Sequence, residues 1–375
     1  MEASVFLIQL FLFCFLVSSA HYVPESKYKN YLFLSMVSAL LLSFLIPVSS
    51  FMREIKEAFL IIPLVIFVFY ISTKFRLKEF DHLHTRALCV AALNLISSIA
   101  IFGTVAWFLL QQNFFYAIIL SLAVSATDPL LINIKKKTLM NLQLIESSLK
   151  SIIVLILAFF LITNNNGSIQ SFNLLELGLN VIIGASFGLI VGLLFLKISH
   201  RLKGSKYYFA VIALCFIVFV VATTFEANGV AAVAIIGFLL ANIDMPLHSE
   251  NKKLKLLSKK TSRYFMFPVY FMATLFLDLK LSPDIFLKAF LLFLVYIIIK
   301  VITLHFSTKD LPINFKEKIS MVFSNPLGSA GILVILALHI FLPGMVVLSS
   351  LLFLILLFSF FSSIIFDMFT GGDVK

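Results

Sequence analysis

The sequence predicts an all-α membrane protein of about thirteen transmembrane helices, and three observations carry that reading. Of 375 residues, 61% are hydrophobic, 13% are charged and 43 are Phe, whereas soluble domains carry about 25% charged residues. Mean hydropathy is +1.08, and apolar runs of about 17 to 25 residues, enough for a helical crossing, recur along the whole chain. Lys and Arg collect in the short stretches between those runs. A water-soluble globule is excluded. The net charge of +11 belongs to loops at the level of lipid headgroups, so the bilayer is the expected partner and nucleic acid is not.

The runs fall at roughly residues 3–20, 30–51, 58–73, 87–111, 113–134, 138–163, 173–199, 206–225, 228–243, 263–280, 284–306, 318–340 and 343–367. Stretches such as Asn164 to Asn173 and Pro246 to Ser262 are loop-sized, and no soluble domain is attached. Of the 29 Lys and Arg residues, 23 lie in one alternating set of loops, four (Arg53, Lys56, Lys280, Lys288) in the other, and Lys150 and Lys300 within spans. The positive-inside rule then puts the N-terminus outside and the C-terminus in the cytoplasm. Residues 1–20 end in Ser18 and Ala20, which mimic a signal-peptidase site, but they contain Glu2 and no Lys or Arg. Cleavage there would also invert every later loop, so the segment reads as a first span.

Cys14, Cys89 and Cys215 lie inside apolar stretches without pairing or ligand spacing and read as buried small hydrophobes. No His, Cys or carboxylate cluster has the spacing of a metal site or a nucleophile with its base, which sets an enzyme below a transporter and calls for no cofactor.

Charges and helix breakers inside the spans are the functional candidates, because an ionisable group at mid-bilayer costs at least a few kcal/mol. The fifth span holds Ser125-Ala126-Thr127-Asp128-Pro129. Pro129 removes a backbone donor and disfavours helix at Asp128, so an unwound stretch there exposes carbonyls beside the Thr127 hydroxyl and the Asp128 carboxylate. A Pro-kinked helix capped by Asp128 explains the same residues. The twelfth span is interrupted by Ser324-Asn325-Pro326-Leu327-Gly328-Ser329-Ala330-Gly331, where a continuous helix is not expected. The two breaks match in place if spans 1–6 and 8–13 are copies of one six-helix unit, of opposite topology because seven spans separate their starts. Paired broken helices in inverted repeats point to a secondary transporter with its site where the breaks cross. The expected organisation is a first repeat over residues 1–164, a linker helix (span seven) over 165–200, a second, inverted repeat over 201–369 and a cytoplasmic tail over 370–375.

The sixth span carries Glu146, Ser147, Lys150 and Ser151. Lys150 lies about 18 Å deep at 1.5 Å per residue, too far for easy snorkelling. Glu146 and Lys150, at i and i+4, form an internal pair, or Lys150 reaches Asp128 on the neighbouring span. Lys300 is expected to snorkel to the cytoplasmic end of span eleven. Asp278, Glu176, His339 and Asp367 read as interfacial, and Glu226 and Asn228 as a solvated outer turn. Gly184, Gly188 and Gly192 form a small-residue face for helix contact within the monomer.

These residues resemble the monovalent cation:proton antiporter family, the sodium/proton exchanger type, over nearly the whole chain. Ser125 to Pro129 is similar to the family's S-A-T-D-P stretch in its fifth helix. Asn228 to Val233, with Gly237 and Asn242, resembles its S-G-V-L-A-V segment and trailing G and N. Pro268 to Leu281 resembles its P-x-F-F…L-D-L helix, and Asn325 to Gly331 takes the place of its second unwound helix. The resemblance implies a core of crossed broken helices, a dimerisation domain and hence a homodimer, and alternating access with one carboxylate binding sodium or protons. That carboxylate belongs to an E-S-x-x-N-D motif in the sixth helix. Here the aligned residues are Glu146-Ser147-Ser148-Leu149-Lys150-Ser151, so Lys150 replaces the motif's Asn and Ser151 its Asp. The Arg that partners the motif Glu has no counterpart between Ser320 and Ile340, and Tyr70 stands about where many members have Glu. Lys150 then replaces the Arg as partner of Glu146.

The resemblance and the interrupted spans together lead to an expectation of cation/proton antiport, with sodium or potassium and the proton as substrates, in a bacterial inner (plasma) membrane. Asp128, Thr127, Ser147 and Ser151 are the candidate ion ligands, Glu146 and Lys150 the charge network, and Pro129, Asn325, Pro326 and Gly328 the breaks. Two alternatives stay open: a family-derived transporter of another solute, and a non-transporting scaffold or sensor in which Lys150 occupies the cation site.

Overall fold

The computed structural model describes residues 23–24, 27–45, 56–75, 82–111, 113–132, 137–164, 174–199, 202, 205–242, 248–277, 279–309, 313–324, 326–342 and 344–369. The expected first span, Asn325, Asp278 and Cys14 lie outside them. In chain order the helices are α1 (Tyr28–Leu45), α2 (Lys56–Ser72), α3 (His82–Ser97), α4 (Gly103–Leu110), α5 (Phe114–Ser125), α6 (Lys137–Asn164) and α7 (Leu174–Ser199). After these come α8 (Ser205–Thr224), α9 (Gly229–Asn242), α10 (His248–Phe276), α11 (Pro283–Ser307), α12 (Phe315–Ser324), α13 (Ser329–Phe341) and α14 (Val346–Phe369). A π-turn at Ser98–Phe102 joins α3 to α4 into one rod. Among the described residues no strand forms, and six helical segments are long and apolar enough to cross a membrane. α5, α9 and α13 are shorter apolar helices.

Local chemistry sets the ends. Asn113 caps α5 by accepting from the Phe115 N–H at 3.3 Å, and Ser282 caps α11, whose first residue is Pro283, by accepting from Ile285 at 3.3 Å. Both expected breaks are present. α5 stops at Ser125 and Ala126 turns extended (φ −72°, ψ 121°), so the helix is shorter than the 113–134 span read from hydropathy. The twelfth run is two helices, α12 and α13, with Gly328 extended between them (φ −144°, ψ −144°).

Packing sorts the helices into two bundles. α1, α2 and α7 to α10 pack chiefly on one another, and α3 to α6 pack with α11 to α14. The first is the flanking bundle; the second, which holds both breaks, is the crossing bundle. Their seam runs between α10 and α13, α2 and α6, α9 and α6, α2 and α13, and α1 and α14. Within the flanking bundle Gly184 and Gly188 press α7 onto the backbone of Asn228 and Ala232, where any Cβ would collide, so the small-residue face serves contact within the chain.

Four sequence readings need correction, the first being the stretch Pro246 to Ser262, read as loop-sized, which from His248 onward is the start of α10. Lys300 does not snorkel: it is 4% exposed and its ammonium donates to the Val322 carbonyl at 2.6 Å, because the end of α12 offers carbonyls closer than the membrane surface. Asn228 is no solvated loop residue: it is buried, accepts from the Ala231 N–H at 2.9 Å to cap α9, and donates to the Ile156 carbonyl of α6 at 3.2 Å. Cys89 lies on an exposed face of α3, whereas Cys215 is buried as expected.

Candidate functional site: the crossing of the broken helices

The two unwound segments meet. Thr127 and Leu327 form an isolated antiparallel bridge, and Gly328 sits against the Asp128 side chain so closely that a Cβ there would overlap it. This close approach, not backbone freedom, is why position 328 is glycine.

Unwinding leaves backbone groups that must find partners in an apolar medium. Asp128 takes several. It accepts the N–H and the hydroxyl of Ser329, the Leu130 N–H at 2.8 Å and the Tyr270 hydroxyl of α10 at 3.4 Å. Asp128 is fully buried, and its negative charge lies on the N-terminus of α13, where the helix dipole is positive. Lys300 does the converse at the end of α12 through the Val322 carbonyl, and Gln143 of α6 donates to the Met321 carbonyl at 2.6 Å. The Leu327 N–H finds the Ser359 hydroxyl of α14 at 2.9 Å. Asp128 is therefore committed to backbone and hydroxyl donors of both breaks.

α6 runs beside the break and supplies hydroxyls. The Thr127 hydroxyl donates to Ser147 at 3.0 Å, and the Ser151 hydroxyl donates to the Thr127 carbonyl at 2.8 Å. Thr127, Ser147 and Ser151 are each at most 1% exposed. Four neutral oxygens thus cluster beside Asp128, a donor set that suits a hard cation. One turn along α6, Lys150 pairs with Glu146 at 2.7 Å, both side chains buried, which decides between the two partners open to Lys150: no ion pair joins it to Asp128. Lys300 and Tyr296 of α11 lie within electrostatic range of Glu146. Pro129 opens the turn after Asp128, closed by the Leu131 N–H on the Asp128 carbonyl at 3.2 Å, and Pro326 is buried beside the bridge. Among the described residues no group of three His, Cys, Asp or Glu side chains is placed to hold a metal.

Nothing in the sequence singles out Tyr270, Gln143 or Ser359. Lys300 was visible as a charge in a span, but only the fold shows that a helix end lies within its reach.

Crossed broken helices inside an apolar bundle define an ion-transporting secondary transporter. The comparisons agree. Residues 6–370 match the family model for the sodium/hydrogen exchanger, transmembrane, and the chain belongs to that family, membrane proteins that exchange a monovalent cation for protons. The structure of the sodium proton antiporter MjNhaP1 from Methanocaldococcus jannaschii at pH 8 superposes with a TM-score of 0.76 at 15% identity, covering 100% of this chain and 98% of that one. An electron-microscopy structure of the same antiporter gives 0.66 at 16% identity over 86% and 85%. These likenesses show the fold. No curated protein matches.

Proposed function

We propose that this membrane cation/proton antiporter works by alternating access of one site, built from the Thr127 carbonyl and hydroxyl, Ser147, Ser151 and the Asp128 carboxylate, in place of the missing sixth-helix Asp. One observation carries this reading: among the described residues, the buried charges of the crossing bundle cancel. Asp128 and Glu146 oppose Lys150 and Lys300, all at most 4% exposed. An entering monovalent cation adds one positive charge to a neutral set in a medium where an unpaired charge is expensive. Loss of one proton from this set restores neutrality. Exchange is then one cation for one proton. With Lys300 outside the set, as the sequence suggested, two carboxylates and one ammonium would have left a net negative charge and no need for the proton to leave.

The finer architecture belongs to the same reading: thirteen spans, residues 1–164 and 201–369 as inverted repeats about a linker helix, the N-terminus outside and the C-terminus cytoplasmic in a bacterial inner membrane, and a homodimer. Charge alternation along the sequence supports the orientation, and the matched positions of the two breaks support the repeats. Labelling from the outer face of intact cells of a cysteine placed at Lys253 would overturn the topology. For transport itself, a sodium jump across proteoliposomes should move protons the opposite way; no proton movement with sodium, lithium or potassium would overturn the reading and favour the scaffold alternative.

A further inference from the structure

Side chains tie the seam between the two bundles at several places. In the middle, Tyr270 of the flanking bundle donates to Asp128 of the crossing bundle. Near the start of α9, Asn228 donates to the Ile156 carbonyl. At the start of α1, Lys29 reaches the last turns of α14, donating to the Ser363 hydroxyl at 2.8 Å and pairing with Asp367. We propose that the Lys29, Ser363 and Asp367 contact is a gate: it closes one end of the seam while Asp128 is shut off from that side, and it parts when the seam opens there.

Burial is graded along this path. The Asp367 side chain is 46% exposed and that of Lys29 8%; Tyr28, next to Lys29, is 3% exposed, and Tyr270 and Asp128 are fully buried. Tyr28 holds the same end from the flanking side, donating to the Arg263 carbonyl of α10 at 2.7 Å, with the Arg263 guanidinium 5.4 Å from its ring centre. Tyr28 and Lys29 thus sit at the start of α1 between the exposed end of α14 and the buried helices of the seam. The chemistry of the Lys29 and Asp367 pair suits a contact that must break in every cycle. The Asp367 side chain is 46% exposed, so its carboxylate has room for other polar partners when α1 and α14 separate. A purely structural tie at this place would do better as an apolar pair. Lys29 and Asp367 are positioning residues, because neither touches the ion site.

The gate rests on the antiport reading above, and its test separates the two. In a chain with Cys14, Cys89 and Cys215 replaced, Lys29→Cys and Asp367→Cys are combined and joined by bifunctional methanethiosulfonates of increasing length. Cross-linking should abolish sodium-driven proton movement in proteoliposomes, and reduction should restore it. Complete cross-linking, shown by mass, with transport unchanged would overturn the gate, as would failure of every linker to join the two positions. If the reduced double variant is itself inactive, charge reversal decides: Lys29→Asp should slow exchange, and adding Asp367→Lys should restore it. Absence of that rescue overturns the gate. A wild-type chain that moves no protons removes the antiport reading, and the gate with it, whereas an active wild type indifferent to the cross-link removes the gate alone.

Discussion

The crossing bundle and the flanking bundle are both built from apolar helices, but they bury different things. The crossing bundle encloses Asp128, Glu146, Lys150 and Lys300, whereas the flanking bundle makes its closest approach through Gly184 and Gly188 on the backbone of α9. The difference follows from the backbone. Two helices stop inside the crossing bundle, their ends present unpaired N–H and C=O groups, and charged side chains answer those groups: Asp128 at the start of α13 and Lys300 at the end of α12. In the flanking bundle α7 and α9 meet backbone against backbone at glycines, with no charged side chain between them. Charge is concentrated where the chain is broken, which is the ground for placing the proposed exchange site there.

The largest expected effect breaks the charge balance. Lys150→Ala leaves Glu146 buried without its ammonium, and loss of one partner of a buried pair costs about 3–5 kcal/mol. The purified variant should melt well below wild type in detergent, and Glu146→Gln added to it should recover much of the loss. An unchanged melting temperature would show that Glu146 has another cation to turn to.

Gly188→Leu probes the other bundle. A side chain there meets the Ala232 backbone, and overpacking of this kind costs about 1–3 kcal/mol. Thermal stability should fall while the sodium dependence of whatever protein remains folded stays that of wild type. A shifted sodium dependence would mean that the two bundles are not separate in function.

Asp128→Asn keeps the shape of the crossing and removes its charge. One amide N–H then faces the donors of Leu130 or Ser329, and a buried donor without an acceptor costs about 1–3 kcal/mol. The chain should fold, melt somewhat lower and lose exchange. Exchange at the wild-type rate would remove Asp128 from the mechanism.

Tyr270→Phe should do least. The Tyr270 bond to Asp128 is 3.4 Å long, and a hydrogen bond of ordinary length is worth about 0.5–1.5 kcal/mol. A small rise in the sodium concentration for half-maximal exchange is expected; loss of all exchange would make the Tyr270 hydroxyl part of the ion site.

Much of this was legible in the chain. Pro129 and the Pro326 to Gly331 stretch announce both breaks because proline and glycine act locally, within a residue or two of where they stand. Helical spacing put Glu146 within reach of Lys150, and the fold chose that pair over Asp128. What could not be read is what answers each break across the fold. Lys300 lies near the end of its own span, and its role depends on the Val322 carbonyl of another helix. Tyr270 and Ser359 are ordinary residues of apolar helices until packing brings them to Asp128 and Leu327. Asp128 was visible as a charge, but its donors come from Ser329 and Leu130, whose amides the sequence does not aim.

The most direct test of a balanced charge set is the coupling ratio. In proteoliposomes with the membrane potential clamped, the sodium gradient that just cancels a set pH gradient is measured at several potentials. A neutral crossing bundle predicts cancellation when the two gradients are equal, at every potential. A balance point that moves with potential would mean that unequal charges cross, and that the four buried charges do not set the exchange.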